Sequence, residues 1–271
     1  MSIAEQTNPS ATTKKYAVVT GASRGLGKAF AEELAQRGIP TVLVSSNHCI
    51  SDLCREIQES YHVKSSFVIA DLTREENILA AADEINQKYN VFLLVNNAGL
   101  GGSQAFEKTD VERIHRILGL NVLATSLLTR QLLPNLLRQG QAFVLNVSSM
   151  AAHTPIGYKM VYPASKAFVN AFSFGLRAEF KNRGLSVSVV CPGAMATSEG
   201  IRERIEKQGF FGKLTLVSPE KVARKSITQT FRGKKEILVN PVSYFFSKLV
   251  PTCIRTPILT RIVQREVETE Q

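Results

Sequence analysis

A tyrosine and a lysine four residues apart, Tyr162 and Lys166, have the side chains and the spacing for acid–base chemistry. They lie in the segment YPASKAFVNAFSFGLRAEF, whose apolar residues recur at helical spacing, so both are predicted to lie on one helical face. A phenol has a pKa of about 10, and a nearby ammonium favours the phenolate and lowers that pKa. The pair therefore indicates a proton donor with its tuning cation. An exposed helical face is the alternative for this pattern taken alone. Pro163 predicts that the tyrosine lies near the start of the helix, because proline disrupts later turns.

A pair of serines follows a short apolar run that reads as a buried strand. Ser148 and Ser149 come directly after AFVLNV (residues 142–147), so they are predicted to lie at the carboxyl end of that strand, where open α/β sheets hold ligands. A hydroxyl there is able to hydrogen-bond to a substrate oxygen. Consecutive strand residues point to opposite faces, so only one of the two can serve.

A glycine-rich segment near the N-terminus, TGASRGLG (residues 20–27), lies between a predicted strand and a predicted helix. The strand is KYAVVT (residues 15–20), and the helix KAFAEELAQRG ends at a glycine. Glycines let the backbone approach a pyrophosphate closely, and the first amides of the helix face it with the positive end of the helix dipole. A tight turn without any ligand explains glycines alone, but the strand and helix around them favour a dinucleotide site.

These motifs resemble those of the classical short-chain dehydrogenase/reductase family over residues 15–239. The glycine segment fits the family pattern T-G-x-x-x-G-x-G, residues 96–99 read N-N-A-G, and residues 192–197 fit P-G-x-x-x-T. Asn121 in LGLNVLA matches the asparagine of the family's long central helix. The family's spacing between serine and tyrosine selects Ser149 as the active serine.

The resemblance implies a catalytic set and a cofactor-binding set. The catalytic residues would be Asn121, Ser149, Tyr162 and Lys166: the serine and tyrosine polarise a ketone, the tyrosine supplies the proton, the lysine lowers the pKa of the tyrosine and binds ribose, and the asparagine holds a water of a proton relay. The cofactor-binding residues would be Gly21, Ser23, Arg24, Gly25, Leu26, Gly27, Ser46, Asp71, Leu72, Asn97, Ala98, Gly99, Tyr162, Lys166, Pro192, Gly193 and Thr197. No metal site is predicted.

The charge near the second strand indicates which nicotinamide cofactor is used. That strand (residues 41–47, TVLVSSN) ends without the carboxylate that usually holds a bare ribose, and Arg24 in the glycine turn offers a cation for a 2′-phosphate. We therefore expect NADP(H) to be preferred over NAD(H). Asn47 or His48 would add hydrogen bonds in place of the arginine that relatives often carry at Ser46.

The implied function is reduction of a ketone, or oxidation of a secondary alcohol, on a lipophilic substrate. Within the family the chain looks like the hydroxysteroid and long-chain 3-oxoacyl reductase branch, and it does not separate an oxosteroid from a 3-oxoacyl thioester. Two alternatives stay open: a non-catalytic nucleotide-binding sensor or scaffold of the same fold, and an NAD-dependent dehydrogenase of a small alcohol.

Alternating strand-like and helical segments predict the fold class: α/β, a single doubly wound Rossmann-type domain with a seven-stranded, mostly parallel sheet flanked by helices. The strand-like runs are residues 16–20, 41–45, 66–70, 91–95, 142–147, 186–191 and 236–239. The predicted domains are a flexible tail at 1–14, the main domain at 15–240 with a substrate lid at about 198–219, and an amphipathic helical extension at 241–271.

Composition bears on partners and location. Of 271 residues, 33 are Lys or Arg and 23 are Asp or Glu, which gives a net charge of +10, but no nucleic-acid motif accompanies it. The N-terminus lacks the apolar core of a secretion signal, so we expect a cytoplasmic protein with reduced cysteines. The C-terminal tail has no uninterrupted apolar stretch long enough to span a bilayer, but it is able to contact a membrane surface, which would make the protein peripheral to the membrane. A homo-oligomer is expected from the family.

Overall fold

Seven strands form one parallel sheet in the order β3-β2-β1-β4-β5-β6-β7. The structure is a computed structural model and describes residues 14–193, 195, 217–240 and 249–269. The strands are β1 (Lys15–Thr20), β2 (Thr41–Ser45), β3 (Ser65–Ile69), β4 (Asn90–Asn96), β5 (Ala142–Val147), β6 (Leu185–Cys191) and β7 (Glu236–Leu238). The predicted doubly wound Rossmann-type fold is confirmed, and every neighbouring strand pair is parallel.

Helices cover both faces of this sheet. They are α1 (Gly25–Gln36), α2 (Ile50–Tyr61), α3 (Glu75–Lys88), α4 (Val111–Leu118), α5 (Ala124–Leu137), α6 (Val161–Phe180), α7 (Pro219–Phe231) and α8 (Thr252–Glu268). One apolar cluster packs α1, α2 and α7 on one face, and a second packs α3 and α5 on the other. Fully buried side chains such as Phe30, Leu43 and Leu128 each stabilise this packing by about 1.5–3 kcal/mol.

The direction of strand order reverses at β1. Its neighbours are β2 on one side and β4 on the other, so the chain moves outward in both directions from this strand. In open parallel sheets, the crevice outside the carboxyl ends of the strands at such a point is where ligands bind. The fold therefore brings the ends of β1 and β4 to the centre of the candidate site.

The helix that follows β4 contains an irregular turn. A π-helical segment, Gly119–Leu123, joins α4 to α5. A side chain at Gly119 would have its Cβ 2.7 Å from the carbonyl oxygen of Thr73, so the close approach of these two segments requires glycine. Such π-turns occur frequently at functional sites, and this one carries Asn121.

The C-terminal helix α8 lies against two loops that follow β4 and precede α6. Gly157 N donates to Thr260 Oγ1 at 2.9 Å, and Ser103 Oγ donates to Glu266 Oε1 at 3.0 Å. No helix within the described ranges combines the length and apolar character needed to cross a bilayer. The domain boundaries drawn from the sequence stay predictions.

Candidate active site

The turn between β1 and α1 is shaped by three glycines. Gly21 and Gly25 have positive φ angles, +63° and +55°, which side chains rarely tolerate. A Cβ on Gly27 would lie 2.1 Å from the carbonyl oxygen of Gly21. The turn adopts this tight conformation only because these three positions have no side chain.

The start of α1 leaves its amide groups available. Arg24 precedes the helix in an extended conformation and makes no side-chain cap, and the first turn contains no acidic residue. These amides and the helix dipole form an anion site that fits a pyrophosphate. The turn therefore fits the nicotinamide dinucleotide that the sequence motif implies.

The ends of β1 and β4 are tied together by side chains. Thr20 Oγ1 accepts hydrogen bonds from the backbone amides of Asn97 and Ala98, each at 3.0 Å. Asn97 Nδ2 donates to the carbonyl oxygens of Thr20 at 2.9 Å and Gly21 at 3.2 Å. The N-N-A-G motif thus supports the glycine turn from the neighbouring strand.

The residues expected to surround the adenosine end of the cofactor lie in the turns that follow β1, β2 and β3. Arg24 and Ser46 are exposed, and Asp71 is exposed after β3. The carboxylate of Asp71 accepts hydrogen bonds from the amide and hydroxyl groups of Thr73, at 3.0 and 2.8 Å, so one of its oxygens stabilises its own turn. The contact of Asp71 with the cofactor stays a prediction.

Asn121 is completely buried, and its side chain is held by the loop after β4 and by α6. Its side chain bridges the backbone of Leu100, accepting from the amide at 2.8 Å and donating to the carbonyl at 2.9 Å. Its amide group also donates to Ser165 Oγ at 2.8 Å, and that hydroxyl donates to the Tyr162 carbonyl at 2.7 Å. This network joins the π-turn to the first turn of α6.

The two adjacent serines have different environments. Ser148 is 2% exposed, and its hydroxyl donates to the Lys166 carbonyl at 2.9 Å, which joins β5 to α6. Ser149 is half-buried, and its Oγ accepts from the Ala151 amide at 3.1 Å and hydrogen-bonds with the side chain of Tyr162. Of the two hydroxyls, the one on Ser149 meets the phenol.

Tyr162 is the second residue of α6, as the following proline predicted. Burial raises the pKa of Tyr162, and the hydrogen bond with Ser149 opposes this rise. Gly101 lies over the phenol ring, since a Cβ there would be 3.2 Å from the ring. The expected lowering of the tyrosine pKa by the lysine is wrong for this structure, because desolvation of the phenol dominates.

Lys166 is buried behind the tyrosine. Its Nζ lies 6.0 Å from the centre of the Tyr162 ring and donates to the Val147 carbonyl at 2.8 Å. Burial lowers the pKa of Lys166 to about 8. The lysine is thus oriented by the end of β5 rather than by a carboxylate.

The structure brings the four catalytic candidates to one sheet edge. Gly99 lies between two of them, because a Cβ there would be 3.2 Å from both Asn121 Oδ1 and Lys166 Nζ. Pro192 follows β6 and its carbonyl accepts from the Met150 amide at 3.0 Å, next to the active serine. Thr197 and nearly all of the predicted lid lie outside the described residues.

A cluster of metal-binding residue types lies close by, and the sequence did not predict it. Ligand atoms of His153, Cys191 and Glu236 lie within 4.8 Å of one another, and His153 Nε2 is 3.6 Å from Glu236 Oε1. Burial raises the pKa of Cys191 to about 12, and the charge of Glu236 adds to this rise. A protonated thiol favours packing over metal binding, and the absence of a metal stays a prediction.

Comparison with known proteins agrees with the geometry. A family model described as short chain dehydrogenase matches residues 15–208. The chain belongs to the short-chain dehydrogenase family. The predicted family is therefore confirmed.

Two relatives of this short-chain dehydrogenase family member support the predicted branch. It is 36% identical over 200 residues to the very-long-chain 3-oxoacyl-CoA reductase of Anas platyrhynchos, covering 72% of this chain and 63% of that protein. It is 34% identical over 190 residues to the 17-beta-hydroxysteroid dehydrogenase type 3 of Danio rerio, covering 68% of this chain and 62% of that protein. The chain thus matches about three fifths of the length of each.

A solved relative carries the cofactor that the sequence predicts. The short-chain dehydrogenase from Sphingobium yanoikuyae, in complex with NADPH, has a TM-score of 0.73 and 27% sequence identity, covering 83% of this chain and 87% of that chain. The two proteins share the doubly wound fold.

Sequence reasoning missed the groups that orient the catalytic candidates. These groups are the backbone of Leu100, the Val147 carbonyl and the hydroxyl of Ser165. The role of a backbone group cannot be predicted from the type of residue that carries it. Ser165 was missed because it occupies one of the unspecified positions of the Y-x-x-x-K motif.

Proposed function

We propose that this protein is an NADP(H)-dependent oxidoreductase that reduces a ketone, or oxidises a secondary alcohol, on a lipophilic substrate. The observation that carries the proposal is the meeting of Ser149, Tyr162, Lys166 and Asn121 at the carboxyl edge of the sheet, beside the glycine turn. The nicotinamide cofactor, when bound, supplies or accepts the hydride.

In the reductive direction, the hydroxyls of Ser149 and Tyr162 hydrogen-bond to the substrate oxygen. The phenol then gives its proton to that oxygen as negative charge develops there. A raised pKa keeps Tyr162 protonated before reaction, which suits a donor. The serine holds the donor in place through its hydrogen bond with the phenol.

Lys166 supplies a positive charge near the phenol that transfers the proton. A pKa of about 8 puts its ammonium near the protonation boundary at physiological pH. The ammonium stabilises negative charge on the phenolate after the proton has left. Asn121 fixes the loop after β4 and connects to α6 through Ser165, so that Tyr162 and the loop keep one relative position.

An apolar cavity of about 380 Å³ is lined by the segment that follows Ser149 and by the first turns of α6. Its apolar lining suits the body of a lipophilic substrate. Its lining begins two residues after Ser149 and includes Pro163, the residue after the tyrosine. The lining residues are Ala151, Ala152, His153, Thr154, Pro155, Ile156, Gly157, Met160, Pro163, Ala164, Ala167 and Thr256. An oxosteroid and a 3-oxoacyl chain both place a ketone beside such an apolar body.

The preference for NADP(H), the homo-oligomer, the cytoplasmic location and the contact of the C-terminal tail with a membrane surface remain parts of this proposal. Arg24 and the lack of a carboxylate after β2 support the cofactor preference. The net charge of +10 supports attraction of an anionic cofactor or membrane.

The test is oxidation of NADPH and of NADH, followed at the nicotinamide absorbance, with oxosteroids, 3-oxoacyl thioesters and small ketones. Tyr162→Phe is the inactive variant, and Tyr61→Phe, on α2, is the matched control. We expect turnover with a lipophilic ketone and NADPH that only the first substitution abolishes. Tight NADPH binding without turnover of any ketone would favour a nucleotide-binding sensor instead.

A further inference from the structure

A buried arginine near the start of α8 lacks a counter-charge. Arg255 is only 8% exposed. Its Nη2 donates to Thr252 Oγ1 at 3.0 Å, but Nε and Nη1 have no hydrogen-bond partner, and no carboxylate in the described residues pairs with this guanidinium. Nε and Nη1 together carry three N–H groups, and none of these has an acceptor among the described residues.

This arrangement is costly unless a ligand completes it. Burying an ion without a partner is unfavourable, and the guanidinium cannot avoid this cost by losing its proton. Its remaining donors are arranged to bind two oxygens of one planar or tetrahedral anion. A carboxylate or a phosphate group fits that description.

The next residue of the helix carries a second buried donor without a partner. Thr256 follows Arg255, its Oγ1 is buried without a hydrogen-bond partner, and the residue lines the apolar cavity described above. Arg255 also shares the inward face of α8 with Val263 and Val267, which are buried against the body of the protein. Thr256 therefore borders the cavity, and Arg255 precedes it in the same turn of α8.

The N-terminus of α8 also favours an anion. Pro251 precedes α8 and provides no side-chain cap, and the first turn contains no acidic residue. The positive end of the helix dipole thus adds to the charge of the guanidinium, which the hydrogen bond to Thr252 keeps beside this terminus.

We propose that Arg255, Thr256 and the N-terminus of α8 bind the anionic oxygen group of a ligand whose apolar body occupies the adjoining cavity. The inference rests on the proposed function in one respect: the ligand is taken to be the substrate or product of that site. It narrows the substrate class to lipophilic molecules that carry a carboxylate or a phosphate, and it makes Arg255 a specificity-determining residue.

Binding, rather than turnover, tests this site, so failure of the proposed reaction does not decide the result. Three ligands with the same twelve-carbon chain are titrated by calorimetry below their micelle concentrations: dodecanoate, dodecanoyl-CoA and dodecan-1-ol. The proteins are wild type, Arg255→Gln and the matched control Arg265→Gln, which alters an exposed arginine of the same helix.

We expect wild type to bind at least one charged ligand more tightly than the alcohol. Arg255→Gln should weaken that binding about 10–100-fold, as the loss of a charge-assisted hydrogen bond predicts, and should leave the alcohol unchanged. Arg265→Gln should bind all three like wild type. If Arg255→Gln weakens the binding of dodecanoate, the ligand group is a carboxylate. If it weakens the binding of dodecanoyl-CoA alone, the ligand group is a phosphate.

Two further variants keep the result interpretable if Arg255→Gln folds poorly. Arg255→Lys keeps the charge but lacks the planar guanidinium, so it should weaken charged-ligand binding less than Arg255→Gln does. Thr256→Val replaces the hydroxyl with a methyl group and should weaken charged-ligand binding several-fold. The proposal is overturned if wild type binds no charged ligand better than the alcohol. Equal losses for charged and neutral ligands in the arginine variants would overturn it as well.

Discussion

Adjacent hydroxyls at the end of β5 offer a direct comparison of two roles. Ser149→Ala removes the group that meets the phenol, so we expect kcat/KM to fall about 10²–10³-fold, the usual effect of losing one donor to a developing oxyanion. Ser148→Ala removes the buried hydrogen bond to the Lys166 carbonyl and should cost about 1 kcal/mol of unfolding free energy.

Steady-state kinetics and urea unfolding of both serine variants provide the measurement. Turnover of Ser148→Ala should stay within a few-fold of wild type. A larger catalytic loss in Ser148→Ala than in Ser149→Ala would show that the assignment of the two hydroxyls is wrong.

Arg24 is the residue on which the cofactor preference depends. Because it is an exposed cation before α1, Arg24→Ala should raise the Kd of NADPH about tenfold and change that of NADH little. Equilibrium titration with both cofactors measures this, with the exposed Arg74→Ala as the control. Equal weakening of both cofactors would contradict a role in binding the 2′-phosphate.

The buried lysine predicts a pH dependence of stability. Its pKa is lowered to about 8, so between pH 8 and the ordinary lysine value the unfolded chain binds more protons than the folded one. The free energy of unfolding of wild type should therefore rise relative to Lys166→Gln as the pH increases through this window, by up to about 1.4 kcal/mol per pH unit.

Denaturant unfolding of both proteins at pH 7.5, 8.5 and 9.5 gives this difference. The lysine contribution is least favourable below pH 8, where the buried ammonium must stay charged. A difference that is constant over this range, or that falls with pH, would contradict a lowered pKa.

Residue types and spacing were sufficient to name Tyr162 and Lys166 as candidates, and the family spacing added Ser149; their catalytic roles stay predictions. The direction of the tyrosine pKa was not predictable, because burial under Gly101 raises it and burial is a property of packing. The same limit applies to Arg255, which in the sequence is one more basic residue in a basic tail.

At the scale of elements, the glycine turn makes a prediction about backbone contact. Gly27→Ala puts a Cβ within 2.1 Å of the Gly21 carbonyl, so the turn must open, and we expect NADPH affinity to fall more than tenfold. Gly175→Ala, on α6, meets open space and should bind NADPH like wild type while gaining about 0.5–1 kcal/mol of stability.

Fluorescence titration with NADPH and thermal unfolding distinguish the two glycine variants. Unchanged affinity in Gly27→Ala would mean that the turn tolerates a side chain and that its close packing does not serve the cofactor.

The strands were predicted within about one residue of their observed ends, because apolar runs between turn residues mark buried parallel strands clearly. The π-turn at Gly119–Leu123 was not predicted. Its cause is the contact of Gly119 with the Thr73 carbonyl, which joins segments distant in sequence.

At the scale of the whole molecule, the site is assembled from elements spread along most of the chain. Thr20 ends β1, Asn97 follows β4 and Ser149 follows β5. Their position at one edge was predictable because parallel strands end at a common edge. The packing of α8 against the loops at Ser103 and Gly157 was not predictable, since it depends on tertiary contacts over more than 100 positions.

Transfer of a label from cofactor to substrate tests the central claim most directly. NADPH deuterated at the transferred position is incubated with the best lipophilic ketone and with wild type, Tyr162→Phe or Tyr61→Phe, and the product alcohol is analysed by mass spectrometry. We predict an alcohol carrying one deuterium from wild type and Tyr61→Phe, and none above background from Tyr162→Phe. Equal formation of labelled alcohol by Tyr162→Phe would contradict the assignment of the proton donor and with it the proposed mechanism.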